Sequence, residues 1–227
     1  MKAVIVACGL LMLGGCASGG ASNPPWLALN SSCAKLSGDQ ALSMNLADDM
    51  AKEGKLHASL ANLQSLPERY GQVQLRKARL YRQLGRSEAE PLYRSLQGTC
   101  LAAEGEHGLG QLAAARGDNA QALAYLQKAA SLAPTDDKIR NDLGVVYLNL
   151  LRLDDARFEF LTALELSKED DTLAALNLVT LLIYQDNWKQ AAELVTRAGL
   201  TPEQVTDAQA RAQALKAPAS DQVAVLK

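Results

Sequence analysis

Residues 109–134 read LGQLAAARGDNAQALAYLQKAASLAP, and residues 143–168 read LGVVYLNLLRLDDARFEFLTALELSK. Set one above the other, they share a Leu-Gly pair, and then Ala122 falls on Ala156, Leu126 on Phe160 and Ala129 on Ala163, each 34 residues apart. Tyr147 stands where the first copy has Ala113, and Lys168 where it has Pro134. A third copy, LVTLLIYQDNWKQAAELVTRAG over residues 178–199, places Leu178, Leu182, Ala191, Val195 and Ala198 at equivalent positions after one extra residue. A fixed period of this length marks a repeat in which each unit buries its apolar face against the next. Within a unit the apolar residues fall on two helical stripes. Small residues (Gly110, Gly144, Ala122, Ala156) stand where two antiparallel helices cross closely, and Tyr147, Leu126 and Phe160 fill the space beside them. Gly117 closes the turn between the two helices, Pro134 stops the second, and Thr135-Asp136-Asp137 offers caps for the next.

This pattern resembles the tetratricopeptide repeat, with its Leu-Gly, Tyr, Ala, Phe and Ala positions at set spacing. The resemblance implies an all-α solenoid of helix-turn-helix units. Gly110, Ala122, Ala129, Gly144, Tyr147, Ala156, Phe160, Ala163 and Ala191 would be its packing positions. Upstream the skeleton is worn but recognisable. Met50, Gly54, Leu60 and Leu63 keep the spacing in residues 47–67, and Tyr81, Gly85, Ala89 and Tyr93 keep it in 78–96, with a residue missing near the turn. Five units result, at about residues 40–70, 71–102, 103–136, 137–170 and 172–205. Thr201-Pro202-Glu203-Gln204 opens a further helix with a capping box and Pro at its first position. Running to about residue 216, that helix would cover the solenoid's open apolar end, leaving 217–227 as a loose tail.

The N-terminus carries a different signal. Lys2 precedes 11 almost wholly apolar residues, 3–13, too few to span a bilayer but the length of a signal-peptide core. Leu13-Gly14-Gly15-Cys16 then resembles the bacterial lipobox. It implies removal of residues 1–15, lipidation of Cys16, and a Gly/Ser/Pro tether with a short lead-in to residue 37. Several acyl chains hold a protein on a membrane far more firmly than one. Ala17, rather than Asp, follows the cysteine, so nothing resembles the inner-membrane retention signal. Cys33 and Cys100 remain as an even pair in an oxidising compartment, which reads as a disulfide. Closing that loop would stabilise the fold by about 4 kcal/mol on a chain-entropy basis.

The composition argues against several activities. With 23 basic and 25 acidic residues and a pI near 5.8, the chain has no electrostatic case for nucleic acid. Gly108 to Ala113 matches G-x-G-x-x-A, but it lies inside a repeat helix with no strand before it, where a dinucleotide fingerprint cannot work. The sequence holds no G-x-S-x-G, H-E-x-x-H or Walker A motif. His57 and His107 with Cys33 and Cys100 match no zinc-ligand spacing. The expectation is therefore a binding protein without cofactor, metal, small-molecule substrate or catalytic residue.

One charge run stands out: six basic residues and no acid between Arg69 and Arg86. Arg76, Arg79, Arg82 and Arg86 return to one broad helix face. In the repeat register this face belongs to the groove lined by each unit's first helix. Arg76, Arg79 and Arg82 would stand beside Gln111, then Asn141, Val145 and Leu148, then Thr180 and Ile183. The groove would be basic towards one end and apolar towards the other, suited to an amphipathic peptide with an acidic end.

Taken together, the lipobox, the tether, the five repeats and NDLGVVYLNLLRLDDARFEFLTALEL (residues 141–166) are similar to the TadD-type repeat lipoproteins of tight-adherence (Flp) pilus systems. That resemblance implies anchoring at the periplasmic face of the outer membrane and a pilotin-like role, with the pilus secretin as partner. Two other roles for such a scaffold are outer-membrane β-barrel assembly and regulation of cell-wall enzymes.

Overall fold

The computed structural model describes residues 35–168 and 172–217, and it is all-helical there. Eleven helices follow one another among the described residues: α1 (Gly38–Lys52), α2 (Leu56–Gln64), α3 (Gly71–Gln83), α4 (Ala89–Leu96), α5 (Ala102–Ala115), α6 (Asn119–Leu132), α7 (Asp137–Asn149), α8 (Leu153–Leu166), α9 (Leu173–Tyr184), α10 (Trp188–Ala198) and α11 (Pro202–Lys216). They pair as five antiparallel hairpins, α1–α2 to α9–α10, and each hairpin packs on the next. The result is the helical-repeat solenoid expected from the 34-residue period. Cys16 and the leader before it, Cys33, the acidic run Glu169-Asp170-Asp171 and the tail from residue 218 lie outside the described residues.

Side chains cap five of the helix starts among the described residues. Ser37 and Gln40 cap α1 reciprocally, and Thr201 and Gln204 do the same for α11, with Pro202 at its first position. Asp118, Asp136 and Asn187 accept from the backbone N–H three residues on, at 3.0, 3.0 and 3.4 Å. Each satisfies one of the amides that a helix start leaves without a partner.

The first helix of each hairpin ends in one repeated way. The amide of Lys55 donates to the Met50 carbonyl, Arg86 to Tyr81, Asp118 to Ala113, Arg152 to Tyr147 and Asn187 to Leu182, all at 2.8–3.0 Å. The residue before each donor has positive φ: Gly54, Gly85, Gly117, Leu151 and Asp186. This six-to-one bond over a left-handed residue is the Schellman ending, which glycine adopts without strain. The fourth and fifth hairpins make the same turn with Leu151 (φ 56°) and Asp186 (φ 57°).

Between the helices the small residues do what their size allows. A Cβ on Gly144 would lie 2.6 Å from the Phe160 ring, and one on Gly110 2.6 Å from Leu126 Cγ. Ala122, Ala129, Ala156 and Ala163 are fully buried, and Tyr147, Phe160 and Ala191 are buried with them. Burying a side chain such as Phe160 is worth about 1.5–3 kcal/mol. One continuous core runs from α5 through α11. The first two hairpins instead have their own smaller clusters, one around Met44, Leu63 and Val73, the other around Leu75, Tyr93 and Leu109.

The last helix, α11, runs alongside α9 and packs mainly on it. Ala208 and Ala212 are buried there, Gln204 reaches Thr172, Arg211 reaches Asn177, and Lys216 reaches Asp186. It covers an apolar face that would otherwise end in water.

Candidate functional site

The first helices of the hairpins share one face, and the arginines of α3 open onto it. A depression of about 260 Å³ is bounded by Arg79 and Arg82 of α3, Tyr93 of α4, Glu104, His107, Gly108 and Gln111 of α5, and Asp136 and Lys138 at the start of α7. A second hollow, about 210 Å³, continues it past Arg82 and Gln111 to Ala114, Asp142 and Val145. Arg79 is exposed, and Arg82 is half-buried with its Nε–H left without an acceptor. Among the described residues neither arginine forms an ion pair with a carboxylate.

The other basic residues of the run are engaged. Arg76 Nε lies 2.9 Å from both oxygens of Asp48 on α1. Lys77 is buried against Glu68, and Arg86 pairs with Glu88 and covers the Tyr81 ring. Arg76 is expected in the groove; its charge is neutralised by Asp48 between two hairpins.

From this hollow a chain of polar side chains crosses four helices. His107 Nε2 and Gln111 Nε2 each lie 2.7 Å from Asp142 Oδ2. Asn141 Nδ2 reaches Asp142 Oδ1 at 3.4 Å, Asn177 Nδ2 donates to Asn141 Oδ1 at 2.7 Å, and Arg211 Nη1 donates to Asn177 Oδ1 at 2.8 Å. Burial pushes the Asp142 carboxyl up. The His107 hydrogen bond and charge, with bonds from Gln111 and Asn141, outweigh it and hold that carboxyl below its ordinary range. Arg211 is lowered by burial.

The apolar half of the expected groove is not open. Leu148, Thr180 and Ile183 are buried to 1%, 0% and 5% exposure, and Asn141 to 4%. The physical reason is the packing of α7, α9 and α11. Hairpin stacking closes over Leu148, and nearly every side chain of α9 is enclosed once α11 lies on it. Val145 and Gln111 remain half-exposed on the face. The open surface is therefore short, polar and basic, centred on α3 and α5.

Several of its residues escaped the sequence reading. Lys138 and Glu104 lie 34 residues apart, as do Asn141 and His107, so extending the register a turn upstream of the Leu-Gly pair would have placed them. His107, set aside as a metal ligand, orients Asp142. Gly108 was set aside with a chance nucleotide motif. It is a packing glycine, where a Cβ would lie 2.2 Å from the Tyr93 ring of the preceding hairpin. Cys100 is disulfide-bonded; Cys33, its expected partner, lies outside the described residues.

Comparison with known proteins decides the family. The family model for tetratricopeptide repeats matches residues 113–176. The TPR repeat-containing protein PA4299 of Pseudomonas aeruginosa is 40% identical over 97% of this chain and 91% of its own length. The chain belongs to the tetratricopeptide-repeat family. Solved structures agree in fold. TTC0263 of Thermus thermophilus is 20% identical with a TM-score of 0.58, over 78% of this chain and 98% of that one. PilF of Pseudomonas aeruginosa is 17% identical with a TM-score of 0.60, over 78% and 89%. A tetratricopeptide-repeat solenoid is a scaffold for binding protein partners.

Proposed function

We propose that this chain is a lipid-anchored scaffold of the periplasmic face of the outer membrane, which holds a partner protein during assembly of a tight-adherence pilus. In this reading Cys16 carries the anchor, residues 17–37 are the tether, and the face around Arg79 and Arg82 takes a peptide segment of the pilus secretin, as a pilotin would. The observation that supports the binding half is the pair Arg79 and Arg82, which line one hollow on the face of the first helices and form no ion pair among the described residues. Charges left unpaired beside half-buried polar groups are what a complementary partner would complete. The pilus half rests on the lipobox and on residues 141–166. Its role is binding rather than catalysis.

Two experiments in cells test it. Deleting the gene should abolish surface pili while outer-membrane β-barrel proteins stay at normal levels. Loss of those proteins with pili intact would move the scaffold to barrel assembly. Cys16→Ser should prevent palmitate incorporation, and normal labelling of that variant would remove the anchor from the account.

A further inference from the structure

Among the described helices, α11 departs from the stacking of the array. The first helices α3, α5, α7 and α9 each pack mainly on the second helix of the hairpin before, and only lightly on its first helix. α11 reverses this: it lies on α9 and barely touches α10. The end of the solenoid records the difference. Val195 and Ala198 of α10 stand where the third unit has Leu126 and Ala129 and the fourth has Phe160 and Ala163. Those four are fully buried, whereas Val195 and Ala198 are only half-buried. So α11 does not cap the array. It lies along the first helices, where Thr180 and Ile183 are enclosed and Arg211 ends the polar chain that reaches Asn177.

The contact that holds it there is slight. The first helix α7 seats itself with Ile139, Leu143, Val146, Tyr147 and Leu148, all buried. α11 encloses only two alanines, Ala208 and Ala212, with Val205 and Leu215 half-buried beside them. Apolar stabilisation scales with the area removed from water, and an alanine brings little of it. The polar contacts are light too. Gln204 reaches Thr172 at 3.5 Å, Arg211 donates to the neutral amide oxygen of Asn177 at 2.8 Å, and Lys216 pairs with Asp186 where both are exposed. The helix beneath is of the opposite kind, LAALNLVTLLIY, and could bury far more against it. Three residues, Gly199-Leu200-Thr201, link α11 to α10, and Gly199 has a left-handed φ of 62°.

We propose that α11 is a self-ligand: a displaceable helix that occupies the exposed side of α9 and leaves it when a partner helix takes that seat. The proposal rests on the reading of the first-helix face as a binding surface, and adds how that surface is regulated. With α11 seated, a partner meets only the polar hollow around Arg79 and Arg82. To extend along α9 it must bring an amphipathic helix that buries more apolar area than two alanines do. A helix on so short a link acts at a millimolar effective concentration. Its own affinity for the seat must therefore be better than that, and the partner must exceed both.

The test sets α11 in competition with itself. In the full chain, Ala208→Glu with Ala212→Glu drives two carboxylates against α9 and unseats α11. A fluorescein-labelled peptide of residues 201–217 is titrated against parent and variant and followed by anisotropy. The variant should bind it saturably below about 1 mM. The parent should bind it roughly tenfold more weakly or worse, because its seat is free only in a small open fraction. Arg211→Ala in the peptide should weaken binding to the variant roughly three- to tenfold, the worth of one hydrogen bond. Hydrogen exchange of the parent decides the matter whether or not the variant folds: α11 amides should exchange together, and many-fold faster than those of α7 and α9. Equal peptide binding by parent and variant, no saturable binding by a folded variant, or α11 exchanging only as slowly as α7 and α9 would each overturn the self-ligand. If the peptide fails to bind while a C-terminal secretin segment still binds through Arg79, the self-ligand falls and the scaffold reading stands. If the variant takes up the peptide and neither protein binds the segment, the self-ligand stands and the scaffold reading falls.

Discussion

Gly144 shows how narrowly a single atom is constrained. Its missing Cβ leaves the 2.6 Å that the Phe160 ring occupies, and that ring is fully buried. Gly144→Ala should therefore destabilise by about 1–3 kcal/mol through overpacking, despite alanine's better helix propensity. Gly38→Ala, at a helix start with open space around it, should not. Equal melting temperatures for the two variants would mean that α7 and α8 cross elsewhere. Asp142 makes a different demand. Because its folded pKa is depressed, the carboxylate contributes stability above its unfolded pKa of about 3.9, and that contribution is lost as pH falls through the folded value. Asp142→Asn should thus lower the melting temperature at neutral pH, and the gap from the parent should close on the acid side of about pH 4. A gap that is constant with pH would show that the His107–Asp142 pair does not carry it. Both residues sit in repeats, but only Gly144 is legible from the period alone. Asp142 becomes visible once three helices are placed side by side.

Among elements, the turns carry the clearest lesson. Gly54, Gly85 and Gly117 announce the first three Schellman endings, but Leu151 and Asp186 make the same turn without glycine. Tertiary packing of α7 on α8 holds Leu151 in the left-handed region, where a side chain costs roughly 1–2 kcal/mol. Leu151 is half-exposed, so Leu151→Gly gives up few contacts and should raise stability by up to about 1 kcal/mol, read as a higher urea midpoint with unchanged slope. A lower midpoint would mean that the Leu151 side chain contributes more than the turn strains. The hairpins and the capping box of α11 are readable in the sequence because each depends on neighbours a few residues away. The angle at which α11 settles on α9 is not, since it depends on which apolar surface α9 and α10 leave open. That placement, together with the stacking of the hairpins, encloses the helix that carries Thr180 and Ile183 and closes the apolar part of the groove that register alone would draw.

At the scale of the molecule, the face shared by α3 and α5 carries Arg79, which is exposed, and Arg82, which is half-buried, and among the described residues neither is ion-paired. The arginine run was visible in the sequence; which members stay free was not, because Asp48, Glu68 and Glu88 reach Arg76, Lys77 and Arg86 from other elements or turns. Among the described residues Arg69, stacked on the Tyr70 ring, and Arg79 and Arg82 form no ion pair, and of these Arg79 and Arg82 line the hollow, with Val145 as the half-exposed apolar neighbour. Leu148→Ala, a truncation of the core, would report stability rather than binding. The most direct measurement is the affinity of the full chain for the partner proposed above, a C-terminal secretin segment, at low and high salt, with and without the paired change Arg79→Glu and Arg82→Glu. Attraction between exposed charges is screened within about 10 Å at 0.1 M salt. The account predicts strong loss of affinity in the double variant at low salt, a much smaller difference at high salt, and an unchanged melting temperature. Equal affinity of parent and variant at both salt concentrations would contradict it and place the partner on another surface.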